Sequence, residues 1–251
     1  MLKKICICAV ALIMGLSVSA CGNAGNNTTK TGEEENPDTT AMQLQLIADN
    51  IDTWRGDDTE VYNYAVTDLD QNGRLEIISS SCQGTGLYTY TDVWEVDEAL
   101  SKLDPIENPV VEGDSQADII VESTPVYFDA DSGVYNYVFG DVTRNGLAGY
   151  YENVRAITLV DGTLSQKYIA YKSMVSDTPN AKSTVTYTAS DGKTVISEDE
   201  YAAAVENAFA GLEKKKAAFG WTDEDAETIN AMDGAALYSM LEKSYEGFSI
   251  K

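Results

Sequence analysis

The stretch Asp68-Leu69-Asp70-Gln71-Asn72-Gly73-Arg74-Leu75-Glu76 brings oxygen-bearing side chains together at regular intervals. Asp68, Asp70, Asn72 and Glu76 stand at positions 1, 3, 5 and 9 of this segment. Gly73 falls at position 6, where a calcium loop turns sharply, and the backbone carbonyl of Arg74 falls at position 7. Ca²⁺ takes about six to eight hard oxygens in flexible geometry, and this spacing wraps alternate groups around one point. Asp, Asn and Gly are also the residues that any tight β-turn prefers, although a turn without an ion has no need of the acid at position 9. The sequence therefore leaves two readings open, a calcium site and a metal-free structural turn.

Other chemistry finds little support. The chain of 251 residues contains 41 acidic residues, 17 basic residues and no histidine. General-base catalysis and zinc binding thus lose their commonest side chain. Gln83-Gly84-Thr85-Gly86 is too short for a phosphate loop and lies between strands, so it reads as a loop. With so many acids a carboxylate pair must occur somewhere, and a glycoside hydrolase stays open as an alternative because sequence cannot measure the separation of such a pair. Cys82 has no histidine to activate it and reads as a small buried residue at a strand end. A net charge of −24 argues against DNA, RNA or an anionic lipid surface as partner.

The N-terminus reads as an export signal. Lys3 and Lys4 precede an uncharged apolar run from Ile5 to Val18, and Val18-Ser19-Ala20-Cys21 closes it. These residues resemble the lipobox of bacterial lipoproteins. The resemblance implies cleavage after Ala20, diacylglyceryl attachment to the Cys21 thiol, and an extracytoplasmic protein anchored to the cell membrane through Cys21. A plain cleaved signal would not need the cysteine, and a spanning helix would need about 20 apolar residues. Loss of residues 1–20 leaves 15 basic residues against 41 acidic ones, a charge of −26. Cys6 and Cys8 depart with the signal and Cys21 is lipidated, so Cys82 has no partner for an internal disulfide.

Residues 21–38 read as a lipidated cysteine and a disordered tether, because Gly22–Asp38 holds no large apolar residue. A single domain is expected over 39–251, with a β core at about 58–196 and a helical part at 197–247. Leu44, Ile47, Ile51 and Trp54 recur at helical spacing and predict a helix from Thr39 to Arg55. Tyr-, Val-, Ile- and Trp-rich runs follow at Val61–Val66, Arg74–Ser80, Leu87–Val96, Ile119–Phe128, Val134–Val142 and Tyr150–Val160. Asp161-Gly162 and Asp191-Gly192 predict tight hairpins. Ser197 and Glu200 form a capping box that opens a helix ending at Gly220, with Lys214–Lys216 on its last turns. Thr222 and Asp233 are expected to cap two shorter helices. The fold class is α+β, a mainly antiparallel sheet with an N-terminal helix and a C-terminal helical cluster.

Val61-Tyr62-Asn63-Tyr64 recurs as Val134-Tyr135-Asn136-Tyr137, and Asp68, Asn72 and Gly73 recur at the same offsets as Asp141, Asn145 and Gly146. Two copies of a strand–loop–strand unit are expected. The second carries Thr143 and Gly149 where the first carries Asp70 and Glu76, so it reads as structural only. The first copy departs from an EF-hand, since position 12 is Ser79 and strands flank it. It resembles the short calcium-loop repeats of FG-GAP and VCBS type and the acidic loops of Firmicute-like lipoproteins. That resemblance implies extracellular calcium or a structural acidic turn, and no activity. Tyr88, Tyr90 and Trp94 alternate on one strand, as do Tyr62, Tyr64 and Val66. Such rows are core, or glycan-stacking platforms if exposed. The sequence thus points to a surface-anchored, non-enzymatic binding module, with a glycan or cell-envelope component as candidate partner and Ca²⁺ as candidate cofactor.

Overall fold

The computed structural model describes residues 39–56, 62–83, 88–108, 116, 118–145, 149–176, 182–222 and 224–251. Cys21, the expected signal and the expected tether lie outside them. The expected N-terminal helix forms as α1 (Thr39–Asp49) and α2 (Ile51–Trp54), separated at Asn50. Trp54 donates its indole N–H back to the carbonyl of Ile47 at 2.8 Å, which seals the break.

Four strands follow: β1 (Asn63–Thr67), β2 (Glu76–Gln83), β3 (Tyr88–Val96) and β4 (Leu103–Pro105). They pair in that order as one antiparallel sheet. A second, larger sheet contains β5 (Ser123–Asp129), β6 (Val134–Asn145), β7 (Gly149–Val160), β8 (Thr163–Val175), β9 (Thr184–Ala189) and β10 (Val195–Ile196). Two short helices, α3 (Glu198–Ala202) and α4 (Ala204–Ala208), precede β11 (Glu213–Ala218). Helices α5 (Ala226–Ala231) and α6 (Gly234–Gly247) then lead to β12 (Ser249–Ile250). The large sheet runs β10-β9-β8-β7-β6-β5-β11-β12, antiparallel throughout. The architecture is α+β.

Strand alternation sorts the core into layers. Ile77 points with Tyr64, Val66 and Val96 toward Leu44, Ile47, Trp54, Leu237 and Leu241 of the helices. Ile78 points the other way, into a core shared with Val126, Tyr137, Phe139 and Leu159 of the large sheet. The next residues along those strands, Tyr127 and Val138, face a third cluster closed by Phe209 and Val205 beside α4. The small sheet therefore lies between a helical layer and the large sheet. A parallel bridge between Glu107 and Thr163 joins the two sheets.

The Asp161-Gly162 hairpin forms as expected, with φ of +49° and +73° at its two central residues. At Asp191-Gly192 only Gly192 takes a positive φ, and a longer loop forms in which the Asp191 carboxylate accepts from the N–H groups of Lys193 and Thr194. The capping box at Ser197 and Glu200 is present in both directions. Asp233 caps α6 as expected.

Three expectations need correction. Lys214–Lys216 lie on a strand, not on a helix end: the chain turns at Gly211 (φ +90°), and β11 pairs with the edge of β5. Pairing buries Ala217 completely and sets the Lys214 and Lys215 ammonium groups over the Tyr127 and Phe128 rings, so tertiary contact overrides local helical spacing. Gly220 does not end a helix either. It lets the chain cross α6, where a Cβ would meet the Ser244 carbonyl at 2.1 Å. Thr222 caps no helix among the described residues. It is bound to β1, donating its N–H to the Tyr64 carbonyl at 2.9 Å and accepting from the Tyr64 N–H, and Asp225 caps α5 instead.

The two sequence repeats also diverge. In the first, β1 ends at Thr67 and a loop runs to Glu76. In the second, β6 continues unbroken through Asp141 to Asn145, paired with β7. Asp141 there meets the fully buried Arg155, which also donates to Gln166 and Tyr168. The Tyr62/Tyr64/Val66 row is core: Tyr64 and Val66 are buried, and Tyr64 packs edge-on against Trp54 at 5.1 Å. Tyr90 is half exposed and Trp94 packs against the helical core, so that row is divided. The backbone of Cys82 pairs with Thr89, and its side chain lies outside what is described.

Candidate metal centre

The loop between β1 and β2 is built by its own short-range hydrogen bonds. Asp68 accepts from the Gly73 N–H, Asp70 from the Asn72 N–H at 3.2 Å, and Asn72 Oδ1 from the Arg74 N–H at 2.7 Å. These are the local bonds that make Asp and Asn loop-formers. Gln71 takes φ +58° and Gly73 φ +83°, which curls the segment inward.

That curl brings three carboxylates together. Asp68, Asp70 and Glu76 each offer an oxygen within 4.8 Å of the others. Glu76 is completely buried, and Asp68 is 9% exposed. Glu76 Oε2 accepts from the Thr67 hydroxyl at 2.8 Å and from the Leu69 N–H at 2.9 Å. Glu76 Oε1 is buried and has no hydrogen-bond partner among the described residues. An acceptor left bare inside a protein costs about 1–3 kcal/mol, more if charged, so it demands an explanation.

Electrostatics point the same way. Burial, opposed by hydrogen bonds from the loop backbone and reinforced by the Asp70 charge, pushes the Asp68 carboxyl up to about 6. Burial also raises Asp70. Burial, with added repulsion from Asp70 and Asp68, raises Glu76 well above the ordinary range. Three carboxyl groups thus crowd one point with weak compensation. Arg74 is committed by a 2.8 Å ion pair to Glu95 and lowers Asp70 only in part.

Not every residue singled out by spacing reaches the cluster as a free donor. Asn72 Oδ1 is engaged by the Arg74 N–H, and its amide bridges Asp70 and Glu95. The Arg74 side chain pairs with Glu95, and the donor that the spacing names at this position is its backbone carbonyl. Sequence spacing missed the outer supports. Gln43 of α1, almost fully buried, donates to the Gly73 carbonyl at 2.9 Å and accepts from the Leu75 N–H at 2.7 Å. Tyr137 of β6 donates to the Leu69 carbonyl at 2.5 Å. One available signal was Gln43 itself, a polar residue four before Ile47 on the apolar face of its helix. The loop is held from three sides, by α1, β3 and β6.

No family model, no curated protein and no solved structure matches this chain. Among the described residues, no helix is long and apolar enough to cross a membrane.

A pH dependence follows from Asp68. Its folded pKa of about 6 lies above the unfolded value of 3.8, so the ion-free folded state holds the proton more tightly. Stability from this group is present below about pH 4, declines as pH rises to about 6, and is level above. In chelator, Asp68→Asn should therefore gain on wild type across that window in denaturant titrations. Parallel stability curves for the two proteins would refute this.

Proposed function

We propose that this chain is a membrane-anchored extracytoplasmic lipoprotein, and that its folded body is a calcium-stabilised binding module rather than an enzyme. The observation that carries the ion is Glu76: a fully buried carboxylate with one oxygen that has no partner among the described residues, beside two further carboxylates. A divalent cation supplies the partner for Oε1 and removes the repulsion that raises the neighbouring pKa values. Calcium suits the site because all donors are hard oxygens on an irregular loop. Asp68, Asp70 and Glu76 are its proposed carboxylate ligands, with the Arg74 carbonyl as a further donor that the spacing suggests; Asn72, which the spacing also suggests, has its Oδ1 engaged by the Arg74 N–H. Binding rather than catalysis is supported by the lack of histidine and by the gathering of Asp68, Asp70 and Glu76 at a single braced loop.

Anchoring rests on the lipobox-like Val18-Ser19-Ala20-Cys21. Two acyl chains hold a protein on a bilayer where one exchanges. In a bacterial host, mass spectrometry should find the mature chain beginning at a diacylated Cys21. Cys21→Ala should remain unprocessed or leave the membrane fraction. An unmodified N-terminus, or one at a different residue, would contradict the anchor. The calcium half is tested by ion titration of wild type beside loop variants.

A further inference from the structure

Asp68 has a second surroundings. Besides joining the carboxylate cluster, it lines a groove of about 320 Å³ with Gln71, Tyr245, Glu246, Phe248 and Ile250. That volume is at the lower end of the range for small-molecule sites. Its walls are of two kinds. Tyr245, Phe248 and Ile250 give an apolar side, and Asp68, Gln71 and Glu246 give a polar one. The Tyr245 hydroxyl is pushed up by burial and by the charges of Asp68 and Glu76, which places it in the field of the cluster.

Resting on the calcium reading above, we infer that this groove binds a neutral sugar whose adjacent hydroxyls complete the coordination of the ion at Asp68. The donor count supports it. Calcium takes about six to eight oxygens, and three carboxylates giving one oxygen each, with the Arg74 carbonyl, leave positions open. Asn72 Oδ1 is already engaged by a backbone N–H, and Ser79 at position 12 is no substitute for a bidentate acid. The groove meets the ion at Asp68, so donors from outside the protein enter there. The chemistry of the walls selects among them. Asp68 and Glu246 repel anions, so phosphates and acidic ligands are disfavoured. A sugar offers paired hydroxyls to the ion on one edge and C–H groups to the Tyr245 and Phe248 rings on its face. A cavity between the two sheets, lined by Leu69, Ile78, Val93 and Phe139, holds only about 30 Å³, room for a water or two, and is no rival site.

The test is saturation-transfer NMR on the full-length chain with the methyl glycosides of mannose, galactose and glucose, in calcium and in chelator. A parallel calcium titration is run on the same samples. At least one glycoside should give signal in calcium that drops at least tenfold in chelator, and its fully O-methylated form should give none. Glu246→Trp fills the groove from an exposed position outside the cluster. It should abolish the sugar signal and leave the calcium titration unchanged. Calcium binding without any glycoside signal overturns the sugar site alone. A glycoside signal that is indifferent to chelator, or that survives Glu246→Trp, also overturns it. Absence of calcium binding overturns both this inference and the reading on which it rests.

Discussion

Arg155→Ala should cost about 3–5 kcal/mol of folding stability, because it leaves a buried carboxylate without its cation. Arg155 is fully buried, and Asp141 beside it is 8% exposed. Its guanidinium also donates to Gln166 at 3.0 Å and to Tyr168 at 3.2 Å, so truncation strips partners from both neighbours and opens a void. Replacing both charged residues at once, as Asp141→Leu with Arg155→Met, should recover much of the loss, since a buried pair is weak evidence of net stabilisation. Urea denaturation measures both effects. A loss below about 1 kcal/mol in the single variant would mean that Asp141 reaches water or another cation.

Calcium should raise the melting temperature of wild type. Extracellular sites of this class bind at about 10⁻⁴ to 10⁻³ M. At 100 times the dissociation constant the gain is about 2.7 kcal/mol if the unfolded chain does not bind. For a chain of this size that corresponds to roughly 5–10 °C. Asp70→Ala should lose this response, because one of the three clustered carboxylates is gone. Thr143→Ala, at the corresponding position of the second repeat, should keep it. Equal shifts in wild type and Asp70→Ala would mean that calcium acts on the general surplus of negative charge.

The two repeats show how one sequence pattern is resolved in two ways. Asp68 and Asp141 occupy the same repeat position. Asp141 lies on a continuous strand and is neutralised by Arg155 of the adjoining strand. Asp68 lies on a loop among other acids. The absence of counterparts to Asp70 and Glu76 in the second copy was visible in sequence. The continuation of β6 through the second copy was not, because it depends on cross-strand pairing.

Local chemistry was legible elsewhere for the same reason. Asp161-Gly162 needs positive φ at two successive positions, and both residues tolerate it. The Ser197–Glu200 box closes within one helical turn. The spacing of Asp68, Asp70 and Glu76 found the clustered acids, since a nine-residue loop largely sets its own path. What sequence did not reveal are the contacts that arrive from afar. Gln43 is 30 residues from Gly73, and Tyr137 is 68 from Leu69. Glu95 of β3, which holds the Arg74 guanidinium and the Asn72 amide, is 23 residues from Asn72. Lys214–Lys216 misled because helical spacing and an amphipathic strand look alike over three residues, and only pairing with β5 decides between them.

The central claim is that the bare oxygen of Glu76 belongs to an ion, and titration calorimetry with calcium at pH 7 on wild type and Glu76→Gln tests it most directly. Glutamine keeps the shape of the side chain and an oxygen to accept from Thr67 and Leu69, while removing the charge. Wild type should bind one calcium per chain saturably. Glu76→Gln should bind at least about tenfold more weakly, a loss of about 1.4 kcal/mol or more, and in chelator it should be no less stable than wild type, because it no longer buries a charge. Equal calcium binding by the two proteins, or no saturable binding by wild type, would contradict the claim and leave the loop a metal-free turn.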